Sequence, residues 1–385
     1  MKDTIRKYID QLHAKGAHYV DARWYPHEDS NFLFMWNGNL KENNASSQSG
    51  LGVRVLYNGA WGFSASSDLA NPGAIFDKAF DNARIASERV TFPVRLAEKE
   101  AIVSSFNSPN RIDPFTVGLD EKVAFLQKMD TALNQPGIVQ RMGMLEFVRK
   151  QIIFMDSEGS EIEKNIIEVF PSISAMGIDK DGGMQRRTYM PGRTSGTRGW
   201  ESIEEGDFLQ NAERLVSEVN QLMVADDAPN GKMSVILLNG IMFLQTHETI
   251  GHALELDRIL GYELSFAGGS FVRLEDFGNL RYGSEKLTVR ANALEPNSPG
   301  SFGYDDDGVP AQDNLLIDKG ILVGAITGRQ MVEEANAKAK KQIFEGSSGA
   351  NRATSFYRVP IERMTNINID PGTDGTLEDI IANTK

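Results

Sequence analysis

The stretch Gly52-Val-Arg-Val-Leu-Tyr-Asn-Gly-Ala-Trp-Gly-Phe-Ser-Ala65 carries the clearest fold signal in the sequence. Two apolar segments flank Asn58-Gly59, a dipeptide that supplies the positive φ angles of a two-residue hairpin turn. Apolar residues at helical spacing predict a helix over residues 3–15, which Gly16 ends, and a second helix over 74–89. The chain is therefore predicted to begin with a helix–hairpin–helix unit.

The remainder of the chain alternates between helical and extended patterns. The predicted elements are a proline-containing linker at 91–114, helices at 119–133 and 203–223, and strands at 145–155, 161–176 and 233–238. An Asp/Pro/Gly-rich run over residues 225–231 is the preferred domain boundary. We therefore predict an α+β protein with an N-terminal unit at 1–98, a β-rich middle unit at 99–224 and a β-rich C-terminal domain at 225–385 that contains a buried, histidine-bearing helix.

The composition excludes several classes of protein. The chain has 385 residues, a net charge of −13 and no cysteine, so disulfides, iron–sulfur clusters and cysteine-ligated zinc are excluded for these residues. Its acidic surface disfavours direct binding to nucleic acid or to an anionic membrane. We find neither a signal peptide nor a run of about 20 apolar residues, and no glycine-rich phosphate loop. We predict a cytoplasmic protein without a nucleotide cofactor, whose metal ligands would be nitrogen and oxygen atoms.

Two of the five histidines lie in His247-Glu-Thr-Ile-Gly-His252. A His-Glu-x-x-x-His pattern suits a zinc hydrolase, because two neutral imidazoles hold the metal while a neighbouring carboxylate takes a proton from water. We therefore interpret His247 and His252 as metal ligands and Glu248 as the general base. The segment that carries them is predicted to be largely buried, with Met242, Phe243 and Leu244 in the core.

The five-residue spacing of these histidines requires a distorted helix. At about 100° per residue, side chains at i and i+5 of a regular α-helix point about 140° apart, whereas the usual i, i+4 pair is only about 40° apart. A π-bulge would place residues i and i+5 above one another, so we predict one at Thr249 to Gly251. The alternative is an unbroken helix with two hydrogen-bonded core histidines.

Several motifs resemble the TldD/PmbA family of zinc metallopeptidases, whose members are also described as modulators of DNA gyrase. The matching segments are His247–Glu255, Tyr304–Pro310, Gly328-Arg-Gln, Ser347–Arg352, Pro360–Asn366 and Pro371-Gly372. The resemblance implies a peptidase that takes unstructured peptides as an extended strand in the cleft of a homodimer, or of a heterodimer with a paralogue. It also implies that Glu255 orients the site as a hydrogen-bond acceptor behind the metal ligands.

The chain departs from the family pattern in two respects. The family's third zinc ligand is a downstream cysteine, which this chain lacks, and family members continue well beyond the position of Lys385. Either the C-terminal domain is incomplete, as we predict, or the chain is a divergent member. A carboxylate could replace the cysteine. The downstream candidates are Glu255, Asp257, Glu275 and Asp276, of which the last three are expected to be surface residues.

Three further expectations remain to be compared with the structure. Asp305 to Asp307 could resemble a cation site but are predicted to form a solvated turn. The arginine-rich stretch from Met184 to Arg198 could hold a carboxylate but is predicted to be a solvated loop. Two other functions stay open: a non-catalytic peptide-binding or partner subunit, and a nucleic-acid factor, which the net charge of −13 opposes.

Overall fold

The structure is a computed structural model that describes residues 1–192 and 195–384. It confirms the α+β class: a large sheet with helices packed against it is followed by a smaller mixed domain. The helices are α1 (Lys2–Ala14), α2 (Pro72–Ser87), α3 (Leu119–Leu133), α4 (Glu201–Glu204), α5 (Phe208–Leu222), α6 (Asn239–Thr246), α7 (Leu256–Leu260), α8 (Arg329–Ala339) and α9 (Leu377–Asn383). The strands are β1 (Tyr19–Trp36), β2 (Asn39–Tyr57), β3 (Ala60–Ser66), β4 (Val103–Asn107), β5 (Gln140–Asp156), β6 (Glu161–Ile178), β7 (Met184–Tyr189), β8 (Val289–Asn292), β9 (Asp313–Asp318), β10 (Ile321–Leu322), β11 (Asn351–Arg352), β12 (Ile361–Glu362) and β13 (Asn366–Ile369).

The large sheet contains strands from the first third of the chain and from its middle. Its strand order is β3-β2-β1-β5-β6-β4, with β7 also paired to β6. All neighbours are antiparallel except β4 and β6, which run parallel. Because β1 pairs with β5, strands from both sides of the predicted boundary at residue 98 share one sheet. The domain limits 1–98, 99–224 and 225–385 remain predictions.

Predictions that rest on local turn chemistry are confirmed. Asn58 and Gly59 have φ angles of 46° and 79° in the β2–β3 hairpin, and Gly16, at φ 97°, follows the first helix. Helix α3 has the predicted limits, and β5 and β6 extend the predicted strand pair by a few residues. The conformations of the two turns and of α3 depend on residues adjacent in sequence.

Two predicted segments are only partly correct. The supposed linker at 91–114 contains β4, an edge strand whose Val103 is 80% exposed. It is held by backbone pairing with β6, for which its sequence carries no apolar signal. The single helix predicted over 203–223 is divided near Asp207, which has a left-handed φ of 48°, into α4 and α5.

The arginine-rich stretch is only partly a loop. Its first six residues form β7, and the Nε atom of Arg187 lies 3.3 Å from an oxygen of Glu218. Arg198 is ion-paired with Glu205. These acidic partners come from α5 and the turn before it, so sequence proximity does not reveal them. Arg193 and Thr194 lie outside the described residues.

The strand predicted at 233–238 is wrong, and so is the burial of the helix after it. Residues 233–238 form no strand, and Val235 is 67% exposed. In α6 the residue Phe243 is also 67% exposed and Leu244 is exposed; only Thr246 is buried. Apolar composition indicates that a segment favours burial, but it does not identify a covering element. Among the helices that the structure describes, none is both long and apolar enough to cross a bilayer.

Asp305 to Asp307 are buried rather than solvated. An oxygen of Asp307 lies 2.6 Å from the Nη2 atom of Arg54, and that atom lies 2.6 Å from a carboxylate oxygen of Asp21. An oxygen of Asp306 lies 2.7 Å from the Nζ atom of Lys164. The predicted solvated turn is therefore wrong, because cations from β2 and β6 pair with Asp307 and Asp306 and join the C-terminal domain to the large sheet. Asp305 instead accepts hydrogen bonds from the backbone N–H groups of Asp307, Val309 and Asn351.

Candidate metal centre

The helix that carries the two histidines is widened between them. Helix α6 continues into a π-helical turn, His247–Gly251, and the backbone N–H of His252 donates to the carbonyl of His247, five residues earlier. The ring centroids of the two histidines are 4.5 Å apart, with planes at 82°. The predicted π-bulge is confirmed, and the alternative of an unbroken helix is wrong.

Contacts from distant segments surround the π turn. The hydroxyl of Tyr282 donates to the carbonyl of Thr249, and the hydroxyl of Thr249 donates to the carbonyl of Gln245 at 2.6 Å. Gly251 has an ordinary helical φ of −54°. A Cβ atom there would lie 1.9 Å from the sulfur of Met364. A side chain at position 251 would therefore have to displace the thioether of Met364, whereas the backbone there is not strained.

The side chains of His247, Glu248 and His252 form a possible metal-binding group. One ligand atom from each lies within 4.8 Å of the others, and within the described ranges this is the single such group of three. The three side chains are 47%, 59% and 25% exposed, so solvent and a substrate can reach them. Two imidazoles and a carboxylate are donors that suit zinc.

Glu255 fixes the orientation of His252. This carboxylate is fully buried, and one of its oxygens lies 2.9 Å from Nδ1 of His252 and 2.6 Å from Nε of Arg258. Its other oxygen accepts the backbone N–H of Met364 at 3.2 Å. A carboxylate oxygen accepts hydrogen bonds, so the proton of His252 lies on Nδ1 and the lone pair of Nε2 is left for a metal.

The other candidate carboxylates do not join the histidines. Asp257 is buried, contrary to the prediction, and its N–H donates to Glu362 at 2.6 Å. Burial, reinforced by the nearby charge of Glu255, raises the pKa of Asp257 to about 7. Glu275 is exposed, as predicted, and Asp276 accepts the backbone N–H of Arg273 at 2.8 Å. Among the described residues, none of these downstream carboxylates joins the two histidines as a third ligand.

A cavity of about 820 Å³ opens beside the histidine group. Its lining includes Phe243 and His247 on one side and Met364 and Thr365 on the other. Strand β13 also borders it. This strand is the last in the order β10-β9-β8-β13, so it lies at an edge of its sheet. An extended chain placed in the cavity would therefore meet both a strand edge and the exposed histidine.

The sequence did not single out three residues that support the site. Arg258, Tyr282 and Met364 contact Glu255, Thr249 and Gly251 respectively. Arg258 lies three residues after Glu255, a spacing that permits a side-chain pair on one helical face. That spacing was the one local signal available, because the other two contacts join segments more than 30 residues apart.

Comparison with known proteins gives consistent results along the chain. Models of the PmbA/TldA metallopeptidase family match as domain 1 at residues 25–86, as the central domain at 112–227 and as the C-terminal domain at 230–385. A metalloprotease of Methanocaldococcus jannaschii is 29% identical over 93% of this chain and 74% of its own length. A zinc metalloprotease TldD homologue of Saccharolobus solfataricus is 25% identical over 98% of this chain and 78% of its own.

Solved structures share the fold. A proposed modulator of a DNA gyrase from Thermotoga maritima superposes with a TM-score of 0.75 at 16% identity, covering 99% of this chain and 80% of that one. TldE from Thermococcus kodakarensis superposes with a TM-score of 0.69 at 15% identity, covering 100% and 80%. With three family domains matched over most of its length, this chain belongs to the PmbA/TldD metallopeptidase family.

Proposed function

We propose that this chain is a zinc-dependent peptidase in which His247 and His252 bind the metal and Glu248 is the general base. The observation that carries the proposal is the π turn, which lets two imidazoles five residues apart converge beside a carboxylate. A bound zinc ion would acidify a water molecule and polarise the scissile carbonyl. The name of the Saccharolobus solfataricus relative, a zinc metalloprotease, supports the choice of metal.

Glu248 and Glu255 would have different roles in the reaction. The side chain of Glu248 is 59% exposed, and its Oε1 atom lies 3.9 Å from Nε2 of His247. Its carboxylate can therefore take a proton from the attacking water and return it to the leaving amine. Glu255 keeps His252 in the tautomer whose Nε2 atom can bind a cation. Glu255 itself is fully buried and hydrogen-bonded on both oxygens, so it would position His252 without touching substrate.

An unstructured peptide is the substrate that suits the cavity. An extended peptide can add a strand to the edge of a sheet through backbone hydrogen bonds, which gives loose sequence preference, and β13 offers such an edge beside His247. The proposal includes a homodimer, or a heterodimer with a related chain. The exposed apolar side chains Phe243 and Leu244 of α6 support a partner surface. Cytoplasmic location remains a prediction.

A second candidate function has its own support. Catalytic zinc sites normally have three protein ligands and a water molecule, whereas this group has two imidazoles and the carboxylate assigned here as the base. The chain also lacks cysteine. A non-catalytic peptide-binding subunit that stabilises a catalytic partner is therefore the alternative.

Metal analysis together with peptide cleavage tests these two functions. We expect the purified chain to contain about one zinc ion and to cleave an unstructured peptide. Glu248→Gln should retain the zinc and lose cleavage, while Glu275→Gln, which removes an exposed carboxylate of the same domain, should behave as wild type. Peptide binding by a folded chain with neither zinc nor cleavage would support the partner subunit instead.

A further inference from the structure

A second cavity lies between the large sheet and the C-terminal domain. It encloses about 700 Å³, and one wall is formed by β5 and β6. The opposite wall is formed by residues 352–363, which contribute Arg352, Arg358 and Arg363. Because the chain as a whole carries a net charge of −13, three arginines on one wall create a local field opposite in sign to that of the protein.

These guanidinium groups form no salt bridge within the described residues, although the charges of Asp306 and Glu168 act on Arg352. Throughout residues 1–192 and 195–384, no carboxylate lies within salt-bridge distance of Arg352, Arg358 or Arg363. The lysines on the sheet wall differ in this respect. Lys164 lies 2.7 Å from an oxygen of Asp306, and Lys150 lies 3.5 Å from an oxygen of Glu28. The unbalanced positive charge of the cavity is therefore on the arginine wall.

The strongest indication of an anion-binding site is an unsatisfied hydrogen-bond donor on Arg352. Its Nε atom is buried and has no hydrogen-bond partner among the described residues, and its guanidinium carbon lies 4.9 Å from the centre of the Phe302 ring. An unsatisfied buried donor is costly, and a carboxylate ligand would satisfy it with a charge-assisted hydrogen bond. Burial raises the pKa of Glu168, which also lines the cavity.

The arginine wall is directly connected to the histidine site. A terminal nitrogen of Arg352 donates to the carbonyl of Met364. The N–H of Met364 donates to Glu255, and the sulfur of Met364 packs on Gly251 of the π turn. Arg363 precedes Met364 in the same short segment, so the two cavities lie against adjacent residues. A peptide bound beside the histidines could therefore extend past this segment into the arginine cavity.

We propose that the arginine cavity is a substrate subsite that binds a peptide carboxylate, either the free C-terminus or an acidic side chain. The proposal rests on the peptidase function and deepens it. Arg352, Arg358 and Arg363 would hold the carboxylate, while apolar lining residues such as Ile152, Ile166 and Phe302 receive the attached aliphatic groups. The acidic residues Glu168 and Asp306, which also line the cavity, disfavour a more highly charged anion such as phosphate.

Equilibrium binding tests the subsite without cleavage. Three labelled peptides of one unstructured sequence are used: one with a free C-terminus, one amidated, and one amidated with an internal glutamate. Fluorescence anisotropy with zinc-loaded full chain in a Glu248→Gln background should show about 10-fold tighter binding of a carboxylate-bearing peptide than of the neutral amide, as one charge-assisted contact implies. Comparison of the two carboxylate peptides identifies the source of the carboxylate.

The arginines are then changed one at a time. Arg358 is exposed, and its side chain makes no hydrogen bond or ion pair within the described chain, so Arg358→Gln should fold normally. We expect Arg358→Gln and Arg363→Gln to remove most of the carboxylate preference, measured in each variant as the ratio of the affinities for the carboxylate-bearing and the amidated peptide. Arg84→Gln, on the exposed face of α2, is the matched control and should retain the preference.

The outcomes separate the subsite from the peptidase function. Equal binding of all three peptides, or an unchanged preference in the arginine variants, would overturn the subsite. Cleavage of the neutral amide by the chain with Glu248 intact reports independently on the peptidase function. An arginine-dependent carboxylate preference without any cleavage would support the subsite and contradict the peptidase.

Discussion

Replacement of Glu255 by glutamine should weaken zinc binding without removing a metal ligand. The carboxylate accepts three hydrogen bonds, from His252 at 2.9 Å, Arg258 at 2.6 Å and the Met364 N–H at 3.2 Å. A glutamine has one acceptor oxygen and one NH2 group in their place. If the oxygen faces His252 and Arg258, the NH2 group opposes the N–H of Met364; if it is turned round, the NH2 group opposes Arg258 and favours the wrong tautomer of His252.

The expected loss of zinc affinity in Glu255→Gln can be worked out from these contacts. Loss of a partner behind a metal-binding histidine typically lowers metal affinity by about 10–100-fold, which is about 1.4–2.7 kcal/mol. Folding should also weaken, because Arg258 is almost completely buried and loses its negative partner. Removal of one member of a buried ion pair costs about 3–5 kcal/mol. Arg258 keeps its hydrogen bond to the carbonyl of Ala267, at 2.9 Å. We therefore expect the loss of unfolding free energy to lie at the lower end of that range.

Two measurements keep these effects apart. Competition with a chromophoric chelator gives the zinc affinity, and urea unfolding of the metal-free chain gives the stability. Glu275→Gln, at a site where the side chain is 72% exposed, should change neither quantity. A Glu255→Gln chain that is folded and binds zinc as tightly as wild type would refute the proposed role of Glu255.

Three other perturbations test the packing around the site and between the domains. Gly251→Ala should lower the free energy of unfolding by about 1–3 kcal/mol through overpacking. In a chain that also carries Met364→Ala, the same change should cost less, as measured by urea unfolding. Strictly additive losses in the double variant would argue against the contact between Gly251 and Met364. Arg54→Met should cost about 3–5 kcal/mol because two buried carboxylates lose their cation, whereas Arg84→Met at an exposed pair should cost less than about 1 kcal/mol; similar losses would contradict the buried network. Burial alone would raise the pKa of Asp306, but the charges of its cationic neighbours lower it to about 2, so its contribution to stability is present above pH about 4 and is lost as the pH falls toward 2. Unfolding free energies between pH 5 and 2 should fall less steeply for Asp306→Asn, and identical slopes would show that the assignment is wrong.

Some features of the site follow from the sequence alone. The five-residue spacing of His247 and His252 allows convergence only where the helix widens, and the structure has a π turn there. Glu255 was expected to orient the site, and it contacts His252 at 2.9 Å; its role in metal binding remains a prediction. These inferences succeeded because helical geometry fixes the relation between residues a few positions apart.

Other features were inaccessible because they depend on pairing between distant segments. Nothing near Asp306 and Asp307 in sequence supplies their cations, which come from β6 and β2. The strand β4 was missed because its neighbour β6 begins more than 50 residues later. The apolar run at 233–238 was predicted to be a strand, yet it forms none and is largely exposed, since pairing and burial depend on whether another element covers it.

The sequence by itself determined the local conformations: the Asn58-Gly59 hairpin, the limits of α3 and the widened helix between the histidines. Only the tertiary structure decided which charges are neutralised, which segments share the large sheet, and that Met364 connects the histidine site with the arginine cavity. The physical reason is that backbone torsions and short-range hydrogen bonds are set by adjacent residues. Burial and ion pairing, in contrast, are set by segments whose meeting is decided by the packing of the whole chain.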